Sequence, residues 1–176
     1  MLRLFVWKTT MKRILFFLTF ALLPLYAETL QGLVIKVADG DTITVLDANK
    51  QQHKIRLNWI DAPESKQAFG QVSKKYLDEM VYKKNVTIEY EKKDMYGRIL
   101  GFIKIDGKNV NLEMVKAGMA WHYEHFAKNA TDYAEAQKQA KLEKKGLWKD
   151  PNPIPPWDFR KNAKNSRKQK NENSAK

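Results

Sequence analysis

The 176 residues include no cysteine, which removes a disulfide framework, a thiolate zinc site and a cysteine nucleophile at once. Acidic residues are scarce beside basic ones: 20 Asp and Glu face 32 Lys and Arg, a formal net charge of +12. There is no GxSxG elbow, no GxxxxGK[ST] loop and no GxGxxG, which sets aside serine hydrolases, P-loop enzymes and dinucleotide binders. Histidine occurs three times, as His53, His122 and His125. His122 and His125 with Glu124 supply two imidazoles and no third ligand nearby, so they read as ordinary polar residues on a strand or turn. What is present suffices for one packed core: 43% of the residues are hydrophobic and 11% aromatic. The length allows one domain with tails, or two very small domains at most. The basic excess invites a polyanion, either nucleic acid or an anionic membrane surface, and only its placement along the chain can separate the two.

That placement is uneven. Lys12 and Arg13 precede the apolar run Ile14–Leu25, and Ala27 then leads into Glu28. This is the layout of a secretory signal over residues 1–27, and Met11 opens a complete signal of its own. The run is short for a membrane span, and the competing readings are a retained anchor or a buried helix. The expected product is an exported protein, periplasmic or secreted, that touches the membrane only in transit. At the other end, residues 150–159 form a Pro-rich segment expected to lie extended over the domain, pinned by Trp148, Ile154 and Trp157. Residues 160–176 hold no large apolar side chain and are expected to be a disordered basic tail. The leader carries +4 and the tail +6, leaving only +2 for the segment between them.

The folded domain is expected over 28–149. Leu33–Val37 and Thr42–Leu46 flank the turn Ala38-Asp39-Gly40-Asp41, a hairpin signal. His53–Ile60 alternates polar and apolar and reads as one strand; Val86–Tyr90 and Leu100–Ile105 are further strands. Phe69, Val72, Tyr76, Leu77, Met80 and Val81 recur at helical spacing, predicting a helix over 67–82. Asn111 is expected to cap a short helix over 112–117 that Gly118 ends, and a last helix is expected over 131–145. Strands first, with helices interrupting and following, predict an α+β chain, mainly β: a small closed barrel with helices packed on it.

The chemistry gathers at strand ends. Asp39-Gly40-Asp41-Thr42 lies in a turn, Arg56 in a strand, Asp61-Ala62-Pro63-Glu64 at that strand's exit, and Asp94-Met95-Tyr96-Gly97-Arg98 follows later. Carboxylates meeting at one barrel mouth repel one another and repel phosphate. A hard divalent cation relieves both, because carboxylate oxygens suit Ca²⁺ or Mg²⁺. Two guanidinium forks match phosphate oxygens, and a remaining carboxylate can orient or deprotonate water. Each block alone is more readily a turn or strand exit than a site. Their combination in this order carries the weight.

These blocks, together with Asp106-Gly107-Lys108-Asn109-Val110-Asn111 and Val115–Trp121, resemble the staphylococcal-nuclease-like (thermonuclease) family over residues 31–148. The resemblance implies a five-stranded OB-fold barrel with about three packed helices, hydrolysing DNA and RNA with Ca²⁺ and leaving 3′-phosphate ends. It also implies roles for single residues. Asp41, Asp61 and the backbone carbonyl of Ala62 would hold the metal; Arg56 and Arg98 would bind the scissile phosphate. Glu64 would act on the attacking water as base or orienter, and Tyr96 and Tyr123 would lie against nucleotides. The chain departs from the pattern at Ala62, where some members have Thr, at Met95, where the best-known member has Lys, and at Trp59, where many have a small residue. The loop after Glu64 is also shorter. An inactive single-strand-binding module on the same barrel is the alternative, but such domains lack the acidic and Arg positions that are present here. A basic membrane-surface protein would need a stronger amphipathic helix than residues 131–145 provide. A monomer with no lasting protein partner is expected.

Overall fold

Side chains buried at every second position set the strands. In the computed structural model, which describes residues 28–174, β1 (Glu28–Asp39), β2 (Thr42–Leu46), β3 (Gln52–Leu57), β5 (Asn85–Lys93) and β6 (Ile99–Ile105) bring Val34, Ile43, Val45, Ile55, Leu57, Ile88 and Ile103 inward. The signal segment 1–27 lies outside the described residues. β1 is long enough to serve two neighbours. Its first half pairs with β5, from Glu28 against Tyr90 to Leu33 against Asn85. Its second half pairs with β2, with register shifts beside Lys36 and Ala38 that bend it. β3 follows β2, β6 follows β5, and a parallel ladder between β3 and β6 closes the ring, with Arg56 opposite Leu100. The five-stranded barrel expected from the sequence is therefore present, and it leaves no open edge among these strands.

The strand expected over His53–Ile60 is broken. Asn58 and Trp59 form a turn, and Trp59 adopts a left-handed backbone (φ 65°). Alternation cannot reveal such a break, because the apolar period runs straight through it. Packing holds the strained residue: the Trp59 ring meets Phe102 edge-on at 4.6 Å and Tyr133 at 5.5 Å. The reversal sends β4 (Ile60–Asp61) away from the barrel to pair with β8 (Trp121–His122), Asp61 lying opposite Trp121. A two-residue β7 (Lys108–Asn109) pairs with β6 across Asp106-Gly107, both of which have positive φ.

Helices cap the barrel. α1 (Gly70–Val81) buries Ser73, Leu77 and Val81, α2 (Val110–Lys116) buries Met114 and Val115, and α3 (Thr131–Leu142) buries Tyr133 and Ala136. α1 starts three residues later than expected because 64–69 forms turns ending at left-handed Phe69, and Val72 is half exposed rather than core-facing. α2 is capped by Asn109, whose side chain accepts from the Leu112 N–H at 3.2 Å, not by Asn111. Asn111 is fully buried instead. It donates to the carbonyls of Asn58 and Gly101 at 3.0 Å each and accepts from the Ile103 N–H at 3.1 Å, joining α2 to the barrel wall.

The disorder expected over 160–176 is corrected for the described residues, which are helical up to Ser174. After a 3₁₀ turn at Gly146–Lys149, residues 150–155 run irregularly and α4 (Pro156–Ser174) follows. Proline suits a first helical position, and Pro156 is buried with Trp157 and Phe159 partly buried beside it. That anchored first turn meets the nucleation cost that an isolated polar helix would face. Ile154 is half exposed and does not pin the segment through its side chain; its carbonyl accepts from Gln67 Nε2. No described helix is long and apolar enough to cross a membrane.

Asn111→Ala would remove a hydrogen-bond partner from three backbone groups, the Asn58 and Gly101 carbonyls and the Ile103 N–H. The expected loss is about 3 kcal/mol of unfolding free energy, read by urea denaturation. A loss under about 1 kcal/mol would show that Asn111 does not fasten α2 to the barrel.

Candidate active site

The turn between β1 and β2 places the first acids. Gly40 is required there, since a Cβ would fall 2.0 Å from Ser73 Oγ and 2.7 Å from Ala62 Cβ. Asp39 Oδ1 accepts from the Asp41 N–H at 3.0 Å, which tightens the turn. Asp41 is almost buried, at 6% exposure. Its Oδ1 accepts from Thr42 Oγ1 at 3.0 Å and its Oδ2 from the Ala62 N–H at 2.8 Å. The turn is thereby locked to the exit of β4.

Arg56, on β3, reaches into the same place. Its Nη1 lies 2.9 Å from Asp41 Oδ2 and donates to the carbonyls of Leu57 and Ile60, while Nη2 donates to Asp61 Oδ1 at 2.8 Å. Asp61, set by the β4–β8 ladder, is 1% exposed. A second guanidinium arrives from α4. Arg160 donates from Nη2 to Asp61 Oδ2 at 2.8 Å, and from Nη1 to Asp61 Oδ1 at 3.2 Å and Glu64 Oε1 at 2.8 Å.

Across the cleft, Arg98 follows the Asp94–Gly97 turn. Asp94 accepts from Arg98 Nε at 2.7 Å and from the N–H groups of Tyr96 and Arg98 at 2.9 Å. Tyr96 is largely exposed, with the Arg98 guanidinium 5.6 Å from its ring centre. One cleft of about 640 Å³ is lined by Asp41, Arg56, Asp61, Ala62, Glu64, Tyr96, Arg98 and Tyr123, so all eight positions taken from the sequence face one space. Two of them are engaged otherwise than expected. Arg98 is paired with Asp94, and the Tyr123 ring lies parallel to Trp157 at 5.3 Å. His122 is buried in β8 with Nε2 3.1 Å from the Ala127 carbonyl oxygen and lies outside this cleft, as does His125.

The sequence gives no site role to Arg160, to Trp157 (expected only to pin the Pro-rich segment) or to Asp94 (named only within its block). Arg160 was grouped with a polar tail by composition. The signal that marks it is the cluster Pro156-Trp157-Asp158-Phe159 just before it, which anchors the chain at that point.

Burial dominates the electrostatics. It pushes the Asp39 carboxyl up to about 6, with the nearby Asp41 charge adding to the rise. It also pushes Asp61 upward, although Arg160 and Arg56 pull the other way. Burial acts likewise on Asp94, but hydrogen bonds from Arg98 and Tyr96 outweigh it and hold that carboxyl below the ordinary range. Among the described residues no three acidic or imidazole side chains converge as a ready cage. The donors that do meet are carboxylate oxygens only, and guanidinium groups balance their charge. That donor chemistry fits a hard divalent cation and not a soft one.

The raised Asp39 carboxyl has a consequence for metal-free protein. A folded-state value above the unfolded one gives stability that is full below about pH 4 and lost as pH rises through about 6. Asp39→Asn, which keeps the acceptor for Asp41, should therefore raise stability at pH 7.5 by about 1–2 kcal/mol. The gain should vanish near pH 4. Unfolding curves in chelator at both pH values check this, and an equal effect at both would remove the charge explanation.

Comparison with known proteins agrees with this geometry. Residues 54–150 match the family described as staphylococcal nuclease homologue. A Haemophilus influenzae protein named "Uncharacterized endonuclease" is 47% identical over 131 residues, covering 74% of this chain and 73% of its own. An Escherichia coli protein of the same name is 44% identical over 138 residues, covering 78% and 89%. A Shigella flexneri protein named "Micrococcal nuclease" is 38% identical over 154 residues, covering 81% and 87%. With the barrel, the acid–arginine cleft and these matches together, the chain belongs to the staphylococcal nuclease homologue family.

Proposed function

We propose that the chain is a Ca²⁺-dependent nuclease that hydrolyses phosphodiester bonds of DNA and RNA without reading sequence, leaving 3′-phosphate ends. The observation that carries this reading is the convergence of Asp41, Asp61, Glu64, Arg56 and Arg98 on one cleft. Asp41 and Asp61, with the Ala62 carbonyl, would hold Ca²⁺, which when bound offsets phosphate charge and polarises the phosphorus centre. Arg56 is rigidly placed by its two acid partners and two carbonyls, so it offers a fixed positive edge to the scissile phosphate. Asp94 engages Arg98 through Nε, and the planar fork of the same group is suited to a phosphate that gains charge on becoming pentacoordinate. Glu64 is the exposed acid of the set, at 41%, and so the one able to meet water. It takes the water's proton or orients the water as the oxygen attacks phosphorus and the bond to the 5′ oxygen breaks. Tyr96 and Tyr123 offer faces for base stacking, which favours no particular base.

The reading includes removal of residues 1–27 and action outside the cytoplasm, periplasmic or secreted, as a monomer without a lasting protein partner. The leader's charged start and apolar run support export. Protein recovered from the periplasm or medium should have a mass beginning near Glu28, and intact residues 1–27 on cytoplasmic protein would overturn export.

The purified protein should degrade DNA and RNA with added Ca²⁺ and stop when a chelator is added, with 3′-phosphate found by end-group analysis. Unchanged activity in chelator would refute the metal. Glu64→Gln and Arg98→Ala should each lower the rate by about 10²–10⁴-fold with little change in melting temperature. Near-normal rates in both would put the chemistry elsewhere. Nucleic-acid binding without cleavage under any divalent cation would favour the inactive binding module.

A further inference from the structure

The first turn of α4 enters the cleft with Arg160 and covers the Tyr123 ring at its border with Trp157. Trp157 stacks on Tyr123 at 5.3 Å with only 8° between the rings, and meets Trp121 edge-on at 5.6 Å. It covers the aromatic face that a base would use. Arg160, one turn on, engages both oxygens of Asp61 and one of Glu64. It supplies positive charge where the cation reading needs it and ties the carboxylate assigned to water. Beyond Arg160 the described residues of the helix are exposed up to Asn173, so the helix is seated chiefly through this turn.

We propose that Arg160 is a resident counter-ion of the metal site, displaced when the divalent cation binds, so that metal loading and undocking of α4 are one event. The inference rests on the metal-dependent reading above. Asp61 already has a fixed partner in Arg56, and burial makes bare charge costly there, so a second cation is favoured. Arg160 is nearly half exposed and comes from 99 residues away. Water competes for its charge, and it can leave more readily than Arg56, which is 14% exposed. A guanidinium on both Asp61 oxygens and a metal ligated by Asp61 compete for the same lone pairs. The two states must therefore exchange, with the ligand selecting the undocked one. Undocking also uncovers Tyr123, which couples metal entry to access for the nucleotide.

The test is calorimetric titration of CaCl₂ into metal-free protein. Arg160→Ala should bind Ca²⁺ about tenfold more tightly, because it loses a bidentate competitor. Lys161→Ala removes the same formal charge from the next position of α4 and should stay within about twofold of the parent, since exposed charges are screened. Amide exchange over residues 157–163 should quicken when Ca²⁺ saturates the parent protein. Equal affinity for parent and Arg160→Ala overturns the inference while leaving the metal reading intact. So does weaker binding in Arg160→Ala, which would make Arg160 a support for the site, or an equal gain in Lys161→Ala, which would make the effect one of net charge. Unchanged exchange over 157–163 also overturns it. No Ca²⁺ binding by either protein overturns the metal reading, and the displaced counter-ion with it.

Discussion

The position of the Arg56 guanidinium governs the cleft. Its partners come from two separate places: Asp41 from the β1–β2 turn and Asp61 from β4. Its two carbonyl acceptors, Leu57 and Ile60, span the break at Asn58–Trp59. The group is held because β3 closes the barrel against β6 at this residue, with Arg56 opposite Leu100. A buried ionic cluster of this kind adds little net stability over an apolar one, but removing one member leaves uncompensated charge. Its contribution is placement. With Arg56 fixed, Asp41 and Asp61 have one geometry available, and the Asp41–Ala62 hydrogen bond closes the loop.

That dependence explains what was legible in the sequence. Strands β1, β2, β5 and β6 follow alternation because each has one buried face, and the Asp-Gly turns mark where they reverse. The break after Leu57 is hidden in the sequence, since Ile55, Leu57 and Trp59 continue the alternation although the backbone turns left-handed at Trp59. Glycine would take this φ of 65° freely, whereas here the indole's packing on Phe102 and Tyr133 holds it. Asn109 and Asn111 were indistinguishable as caps from sequence, because either amide could reach a helix start. Only the fold shows that one lies at the end of β6's partner strand and the other inside the barrel wall.

The site was legible as a set of motifs, and its partner charge was not. Asp41, Asp61 and Glu64 lie within 24 residues of one another in the sequence, so strand ends sufficed to bring them together. Arg160 lies far along the chain, in a segment whose average composition is polar. The boundary expected between residues 159 and 160 separates it from Pro156, Trp157 and Phe159, whereas α4 runs across that boundary and the basic stretch inherits order from them. The tail's +6 is thus carried largely on a helix that starts at the cleft.

Counting charge within the cleft shows why that matters for an anionic substrate. Asp39, Asp41, Asp61, Glu64 and Asp94 are equalled in number by Arg56, Lys92, Lys93, Arg98 and Arg160. A phosphodiester entering this arrangement meets no net positive charge. Arg98 can trade Asp94 for phosphate without altering the total, so it contributes orientation rather than attraction. Exchange of Arg160 for a divalent cation raises the total by one unit. Burial pushes the Asp39 carboxyl up to about 6. Asp41 and Asp61 are buried, and in such surroundings each unit of charge acts more strongly than in water. Replacing Arg160 by a divalent cation would then leave the cleft one unit positive, which favours phosphate.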